Sequence, residues 1–120
     1  MHEIHFYKDK NGNEPVLEYL RELGRKNDKD SRIKLSKIND YIQMLCEYGT
    51  QAGEPYTKHL DGDIWELRPL RDRIFFVGWV NCGYVLLHHF LKKTQKTPAR
   101  EINQAKRELA DLLERSISNE

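Results

Sequence analysis

Three strand-like segments follow one another between Ile64 and Lys93, and this run constrains the fold more than any other feature of the chain. The segments are rich in β-branched and aromatic residues and span residues 64–68, 73–80 and 84–93. Short connections separate them, with "NCG" at the position of a hairpin turn. Strands joined by connections this short are antiparallel. The run therefore predicts an antiparallel sheet in the second half of the chain.

The other elements are predicted from hydrophobic periodicity and from residues that begin and end helices. Apolar residues alternate in a first strand at 3–8 and recur at helical spacing in three further segments. The first helix starts at an N-cap Asn13 and ends at Gly24, the second runs from Asp30 or Ser31 to Gly49, and the third begins after an N-cap Thr97. Residues 50–63 are predicted to form a loop.

The order β-α-α-β-β-β-α predicts an α+β fold. Because each helix has one apolar stripe, we expect all the helices to pack on one face of the antiparallel sheet, leaving the other face open in a two-layer sandwich. A length of 120 residues fits a single domain over residues 1–120.

Composition and targeting signals favour a soluble protein of the cytoplasm. Hydrophobic residues make up 38% of the chain and charged residues 32%, as in globular proteins. No apolar run approaches the roughly 18 residues of a transmembrane helix. The start, "MHEIHFYKDK", lacks the basic and apolar regions of a secretory signal. We therefore expect a cytoplasmic location and no membrane partner.

The net charge of +1 hides an uneven distribution of charge along the chain. Residues 56–100 carry eight lysines and arginines but only four acidic residues, whereas the flanking parts are slightly acidic. The basic excess therefore lies in the predicted sheet. A local excess of this kind concentrates anionic ligands even when the whole protein is nearly neutral.

Several cations converge at one end of the predicted sheet. One strand connection holds three arginines: Arg68, Arg71 and Arg73. If the Cys82–Gly83 turn is a two-residue loop, Arg73 pairs with Lys92 on the same face of the sheet. Such a cluster is either a solvated rim or a phosphate site, since arginine forks match phosphate oxygens. Both interpretations remain open at this stage.

Two segments, "LDGDIWELRPLRDRIFFVGW" and "VLLHHFLKKTQKTPAREINQA", resemble the phage-derived branch of the HigB toxins in the RelE/ParE toxin superfamily. The similarity lies within residues 55–110 and rests on "WELR", "RIFF" and "FLKKTQKTP" in combination. It implies a RelE-like toxin that is neutralised by a helix-turn-helix, HigA-like antitoxin encoded beside it. Most members of the superfamily are ribosome-dependent mRNA endoribonucleases, whereas the ParE branch poisons DNA gyrase.

The resemblance also implies catalytic roles for individual residues. Arg73 matches the arginine that binds the scissile phosphate, and Glu66 matches the general base of some members. Arg68 follows Glu66 on the same face. Lys92 and Lys93 fall near a basic or histidine position of the last strand, and parity with Arg73 favours Lys92 as the general acid. The chain departs from several members in lacking a tyrosine or histidine pair after that strand.

The charged neighbours of these residues predict the direction of their pKa shifts. Nearby cations are expected to lower the pKa of Glu66 and make it a weaker base. An ion pair of Glu66 with Arg68 or Arg73 is an equally open interpretation. Crowding by like charge is expected to depress the pKa of Lys92 or Lys93.

The remaining candidates are weaker. The candidates for RNA binding are Lys58, Arg71, Lys96 and Tyr56. Lys58 and Tyr56 lie in the predicted loop, where such residues more often form ordinary loop surface. His88 and His89 lie mid-strand, so one faces the helices and the other the open side. We expect neither histidine to be catalytic and at least one to be hydrogen-bonded and partly buried. No His, Cys, Asp or Glu set has the spacing of a metal site, so we expect neither metal nor cofactor.

Three functions fit these features. The first is a metal-independent mRNA endoribonuclease that acts on the ribosome and is held in check by its antitoxin. The second is a gyrase-poisoning toxin that binds a protein without cleaving RNA. The third is a binding module that has kept the fold and lost the activity. The resemblance favours the first, with the ribosome and mRNA as its targets.

Overall fold

A five-stranded sheet forms the centre of the protein. The computed structural model describes residues 1–118. The strands are β1 (Ile4–Phe6), β2 (Thr57–Asp61), β3 (Ile64–Leu67), β4 (Asp72–Gly78) and β5 (Tyr84–Leu91). They lie in the order β1-β5-β4-β3-β2, antiparallel except for the parallel pair of β1 with β5. The predicted α+β class and mainly antiparallel sheet are confirmed, and the architecture is compatible with a RelE-like fold.

The three predicted helices are present, with starts that differ slightly from expectation. They are α1 (Pro15–Arg25), α2 (Lys29–Tyr48) and α3 (Ala99–Ser118). The cap of α2 is Asp28 rather than a later residue, because its carboxylate accepts a hydrogen bond from the Ser31 amide at 2.9 Å. Gly49 ends α2 at a φ of 62°. No helix within residues 1–118 is long and apolar enough to cross a membrane.

Strand β2 lies within the segment predicted to be a loop. It pairs antiparallel with β3 through a turn at Gly62, where φ is 58°. The sequence "TKHLD" lacks an apolar stripe because β2 is an edge strand whose Lys58 and His59 are exposed. The prediction of a loop was therefore wrong here. Its correction matters because β2 brings Lys58 directly opposite Glu66.

The prediction that all helices pack on one face is also wrong. On one side of the sheet Ile74 and Phe76 pack in a core formed with α1 and α2. On the other side Phe75 and Val77 pack in a core that includes Ala105 of α3. Strand β4 is buried on both faces, which explains why its sequence is a continuous apolar run instead of an alternating one.

The pairing of β4 with β5 differs from the predicted register. The connection spans residues 79–83 rather than two residues, so Gly78 pairs with Tyr84. The register then shifts at Leu87, which is an extra residue in β5 between the pairs formed by its neighbours. Arg73 consequently pairs with Phe90 and not with Lys92. Because of this bulge, the side chains at the far end of the two strands lie on the same faces as in the predicted register. Arg73 and Lys92 therefore still share a face of the sheet.

Candidate active site

The candidate catalytic residues meet on the sheet face that α3 partly covers. Cross-strand pairing joins Glu66 of β3 to Lys58 on one side and to Phe75 on the other. Arg68 comes directly after β3 and, in the register of that strand, lies beside Arg73 of β4. Cross-strand neighbours share a face of the sheet. Three strands therefore contribute charged side chains to one small area.

Glu66 is a buried carboxylate, with 1% of its surface exposed. Its Oε1 atom lies 3.5 Å from Nε of Arg68, whereas its Oε2 atom has no hydrogen-bond partner among residues 1–118. Burial raises the pKa of Glu66, although Arg73, Arg68 and Lys92 act to lower it. The prediction of a lowered pKa was wrong because desolvation of the carboxylate outweighs the attraction of its cations.

Arg73 is held against the turn that precedes its own strand. Only 8% of the residue is exposed, and Nη1 donates hydrogen bonds of 2.8 Å to the carbonyl oxygens of Leu70 and Asp72. The turn is closed by the Asp72 amide, which donates to the Pro69 carbonyl at 3.0 Å. Leu70 has a φ of 57°, a region that leucine rarely adopts. The guanidinium therefore has a fixed position at the end of the sheet.

The side chain of Asp72 supports this turn from the opposite face of the sheet. Its Oδ1 atom accepts hydrogen bonds from the Tyr19 hydroxyl at 2.7 Å and from Nε2 of His89 at 2.8 Å. The two rings stack at 3.6 Å. Burial opposes ionisation of Asp72, but these hydrogen bonds keep its pKa below the usual range. Sequence reasoning missed this buried cluster because its members come from three distant elements.

Lys92 lies just beyond β5, on the face that carries Arg73. Its amide donates to the Arg71 carbonyl at 2.8 Å, which ties the end of β5 to the turn before β4. Burial lowers the pKa of the Lys92 ammonium, and the positive charge of Arg73 lowers it further. Desolvation, more than crowding by like charge, is thus the main cause of the shift. Lys93 is exposed.

These side chains line two adjoining cavities, which we call the basic groove. The first, of about 480 Å³, is lined by Leu70, Arg71, Arg73, Lys92, Lys93, Thr94 and Gln95. The second, of about 430 Å³, is lined by Lys58, Leu60, Glu66, Lys92, Gln95, Lys96, Thr97 and Ile102. Lys92 and Gln95 belong to both. Volumes of this size lie within the range of small-ligand sites.

The structure therefore brings together eight of the nine residues considered from the sequence. Arg68 contacts Glu66, and the other seven line the basic groove. Tyr56 is the exception, because its ring packs edge-on against Tyr41 of α2 at 4.8 Å. Gln95 and Thr97 were missed. The signal for them was their place among the lysines of "KKTQKT", although neither side chain is charged.

The two histidines are hydrogen-bonded, and each faces a helix. His88 lies 3.0 Å from Glu101 of α3, on the face of the basic groove. His89 lies on the other face, against Asp72 and Tyr19. The expectation that one histidine faces an open side fails because both faces of the sheet are covered. Neither ring lines the basic groove.

The geometry of the basic groove suits an anionic ligand that is handled by acid–base chemistry. It combines a buried carboxylate, a fixed guanidinium and an ammonium with a lowered pKa. Groups of three or more His, Cys, Asp or Glu side chains that could hold a metal ion are absent from residues 1–118. The side chains of the groove include groups of the kinds that serve as a base, an acid and a source of positive charge.

Comparison with known families places the chain among phage-derived proteins. Its residues 18–110 match the family model described as Phage derived protein Gp49-like (DUF891). No individual curated protein matches it. The matched span includes β2, β3, β4 and β5 and all the residues that line the basic groove. A toxin family implies an antitoxin partner. The chain therefore belongs to the Gp49-like family of phage-derived proteins, a family of RelE/HigB-like toxins.

Proposed function

We propose that the protein is a HigB-like toxin that cleaves mRNA on translating ribosomes in the cytoplasm until a helix-turn-helix, HigA-like antitoxin neutralises it. The observation that carries this proposal is Glu66, a buried carboxylate with a raised pKa that lines a groove of cations. Oε2 of Glu66 has no hydrogen-bond partner within residues 1–118, so this oxygen has lone pairs with which to accept a proton. Such a group suits a general base.

The reaction we propose is transfer of a phosphoryl group within the RNA. Glu66 takes the proton of a 2′-hydroxyl, and the 2′-oxygen attacks the adjacent phosphorus. The bond from phosphorus to the 5′-oxygen of the next nucleotide breaks, and Lys92 donates a proton to that oxygen. The products are a 2′,3′-cyclic phosphate and a free 5′-hydroxyl. Glu66 ends protonated and Lys92 neutral, so proton exchange with water restores both.

Arg73 and Arg68 are proposed to stabilise the pentavalent transition state. Positive groups that are already in place where negative charge develops make a large contribution to catalysis, because they need not reorganise during the reaction. Arg73 meets this condition, since two main-chain carbonyls hold its Nη1 atom. Its Nε atom is buried and has no hydrogen-bond partner within the described residues. We propose Arg71, Lys93, Lys58 and Lys96 as contacts for neighbouring phosphates.

The shifted pKa values of the proposed acid and base fit this pairing. Burial raises the pKa of Glu66 and lowers that of Lys92, so the two values move towards each other. A base and an acid with pKa values nearer neutrality transfer protons more effectively at physiological pH. The ribosome is proposed to supply the orientation of the mRNA, which adds to the rate through positioning.

Mapping of mRNA 5′-ends after brief induction tests the proposal. Wild-type protein should create new ends inside translated codons, and Arg73→Ala should reduce them by about 10²–10³-fold, the usual effect of removing a transition-state donor. Arg107→Ala is the matched control, because this exposed arginine lies outside the basic groove and donates a hydrogen bond to Gln104 of its own helix. It should cleave like the wild type.

The alternative functions predict different results in the same experiment. Growth arrest with intact mRNA would contradict cleavage and point to a protein target such as gyrase, with the basic groove serving as a binding surface. Normal growth on induction of soluble wild-type protein would indicate a binding module without toxicity. Cleavage by Arg73→Ala at the wild-type level would contradict the proposed contact of Arg73 with the scissile phosphate.

A further inference from the structure

A second surface, outside the basic groove, combines exposed aliphatic side chains with unpaired cations. Three exposed side chains, Ile33 of α2, Leu70 of the β3–β4 turn and Leu91 of β5, line one cavity of about 420 Å³. They are exposed by 43%, 52% and 41%, and we call them the outer apolar surface. Single exposed aliphatic side chains are common on protein surfaces, but three that converge on one cavity indicate a contact site.

Positive charge surrounds this surface. Ile33 also lines a neighbouring cavity of about 280 Å³, and the two cavities together are bordered by Lys26, Lys29, Arg32, Lys34 and Lys37, against a single acid, Asp30. Lys26 pairs with Glu22, and Lys34 donates to the Tyr19 hydroxyl. Within residues 1–118 the other three cations have no ion-pair partner at 4.0 Å or closer. An apolar centre with a basic rim complements an amphipathic segment whose polar face is acidic.

The aliphatic character of the centre favours a protein over RNA as the occupant. Single-stranded RNA is bound by aromatic or guanidinium planes on which its bases stack. Here the exposed centre is made of isoleucine and leucine, and the ring of Tyr19, which also lines the cavity, is already stacked on His89. Aliphatic side chains instead suit the apolar face of a helix that lies in a groove.

The outer apolar surface adjoins the basic groove through Leu70, which lines both. Leu70 has a left-handed φ and an exposed side chain, and its own carbonyl oxygen accepts a hydrogen bond from Arg73. A segment seated on this surface therefore contacts the same turn that fixes the guanidinium. Its acidic residues would also lie close to Arg71 and Lys93, on the rim of the basic groove.

We propose that the outer apolar surface binds an acidic amphipathic segment of the antitoxin, and that this segment silences the toxin from beside the basic groove. The inference rests on the proposed toxin function for the identity of the partner. The surface itself is defined by exposed aliphatic side chains and the positive charge around them.

Coexpression with the product of the adjacent reading frame tests this inference. Ile33→Glu places a negative charge at the centre of the surface, and Leu113→Glu is the matched control, an exposed leucine on α3 with 47% exposure. Growth on induction, copurification and the dissociation constant are measured for wild type and both variants. Ile33→Glu should remain toxic, escape neutralisation and bind the partner at least about tenfold more weakly, because it loses one buried aliphatic side chain and gains a repulsive charge. Leu113→Glu should behave like the wild type.

Hydrogen exchange locates the contact independently of toxicity. Binding of the partner should protect amides at 29–37 and 69–71, and high salt should weaken the complex. Neutralisation of Ile33→Glu at wild-type affinity would overturn the inference, as would failure of the adjacent product to bind wild-type protein. Loss of ribosome cosedimentation by Ile33→Glu with unchanged partner binding would overturn it in favour of ribosomal RNA. Absence of toxicity in the wild type would contradict the proposed function. Hydrogen exchange and the dissociation constant would still show whether the partner binds the outer apolar surface.

Discussion

At the scale of single residues, Glu66 shows how burial and charge compete for one carboxylate. Cations surround it, and by themselves they would make it a stronger acid. The strand pairing also removes it from water, and the desolvation penalty prevails. The side chain can therefore be both the partner of Arg68 and a group whose proton affinity is high enough for acid–base chemistry.

The pH dependence of cleavage should report on Glu66. A base must be ionised, so the rate should fall as the pH drops through its pKa, and this fall should begin above the ordinary carboxyl value of 4.5 because the shift is upward. Glu66→Gln should lower the rate by about 10²–10⁴-fold and abolish that acid limb. Single-turnover cleavage on programmed ribosomes at several pH values measures both effects. An acid limb that persists in Glu66→Gln would assign the base to another group.

Glu108 gives a second residue-scale prediction, on stability. It is buried on α3, where His88 Nδ1 lies 3.7 Å from its Oε1 atom, and burial raises its pKa to about 7. The folded state thus binds the proton more tightly than the unfolded chain. Its contribution to stability is complete below about pH 4.5 and is lost as the pH rises through about 7.

Glu108→Gln should consequently be more stable than the wild type at pH 8 by about 1–3 kcal/mol and nearly equal to it at acid pH. Urea unfolding at the two pH values measures the difference, with exposed Glu47→Gln as the control. A gain in stability that is the same at both pH values would contradict a raised pKa of Glu108. The charged neighbours that modify the size of this gain are His88, Arg107, Asp9 and Glu101.

At the scale of elements, the Tyr19–Asp72–His89 cluster joins α1, β4 and β5. Tyr19→Phe removes one of the two side-chain hydrogen bonds to a carboxylate that is wholly buried. Loss of a partner of a buried charged group should lower the free energy of unfolding by about 1–3 kcal/mol. Chemical unfolding measures this cost. Tyr48→Phe, at a site with 55% exposure, should leave stability nearly unchanged, and equal effects of the two changes would argue against the cluster.

Element by element, the sequence predicts those segments whose hydrophobic period matches their burial. The helices and strands β3, β4 and β5 were found for this reason. Strand β2 was missed because an exposed edge strand has no apolar face to reveal it. The position of α3 was missed because the apolar stripe of a helix does not specify which face of the sheet it covers. The bulge at Leu87 could not be foreseen, since pairing across β4 and β5 decides it.

The candidate site was predictable to the extent that local sequence controls it. Arg68, Arg71 and Arg73 share one short connection, so their proximity follows from the turn itself. The upward pKa shift of Glu66 was not predictable, because it depends on packing from β2, β4 and α3. Asp72 was overlooked for the same reason, since its partners come from α1 and β5.

At the scale of the whole molecule, near-neutral net charge coexists with a concentrated basic groove. Binding of RNA to the groove should therefore weaken steeply with salt, even though the net charge is only +1. In a Glu66→Gln background, Lys96→Ala should reduce the salt slope of log K by about 0.7, the value for one phosphate contact on a single strand. Titration of a fluorescent oligoribonucleotide measures the slope. Lys10→Ala, a distant exposed lysine, should leave it unchanged.

The strand order has a consequence for the protein's own synthesis. Strand β1 is the first to leave the ribosome, and among residues 1–118 its one partner is β5, the last strand. The lysines at 92, 93 and 96 come later still. A nascent chain cannot complete the sheet or the basic groove until nearly all of it has been made. For the translation-directed toxin proposed above, synthesis in this order means that the chain cannot attack the ribosome that is producing it before its own message has been read almost to the end.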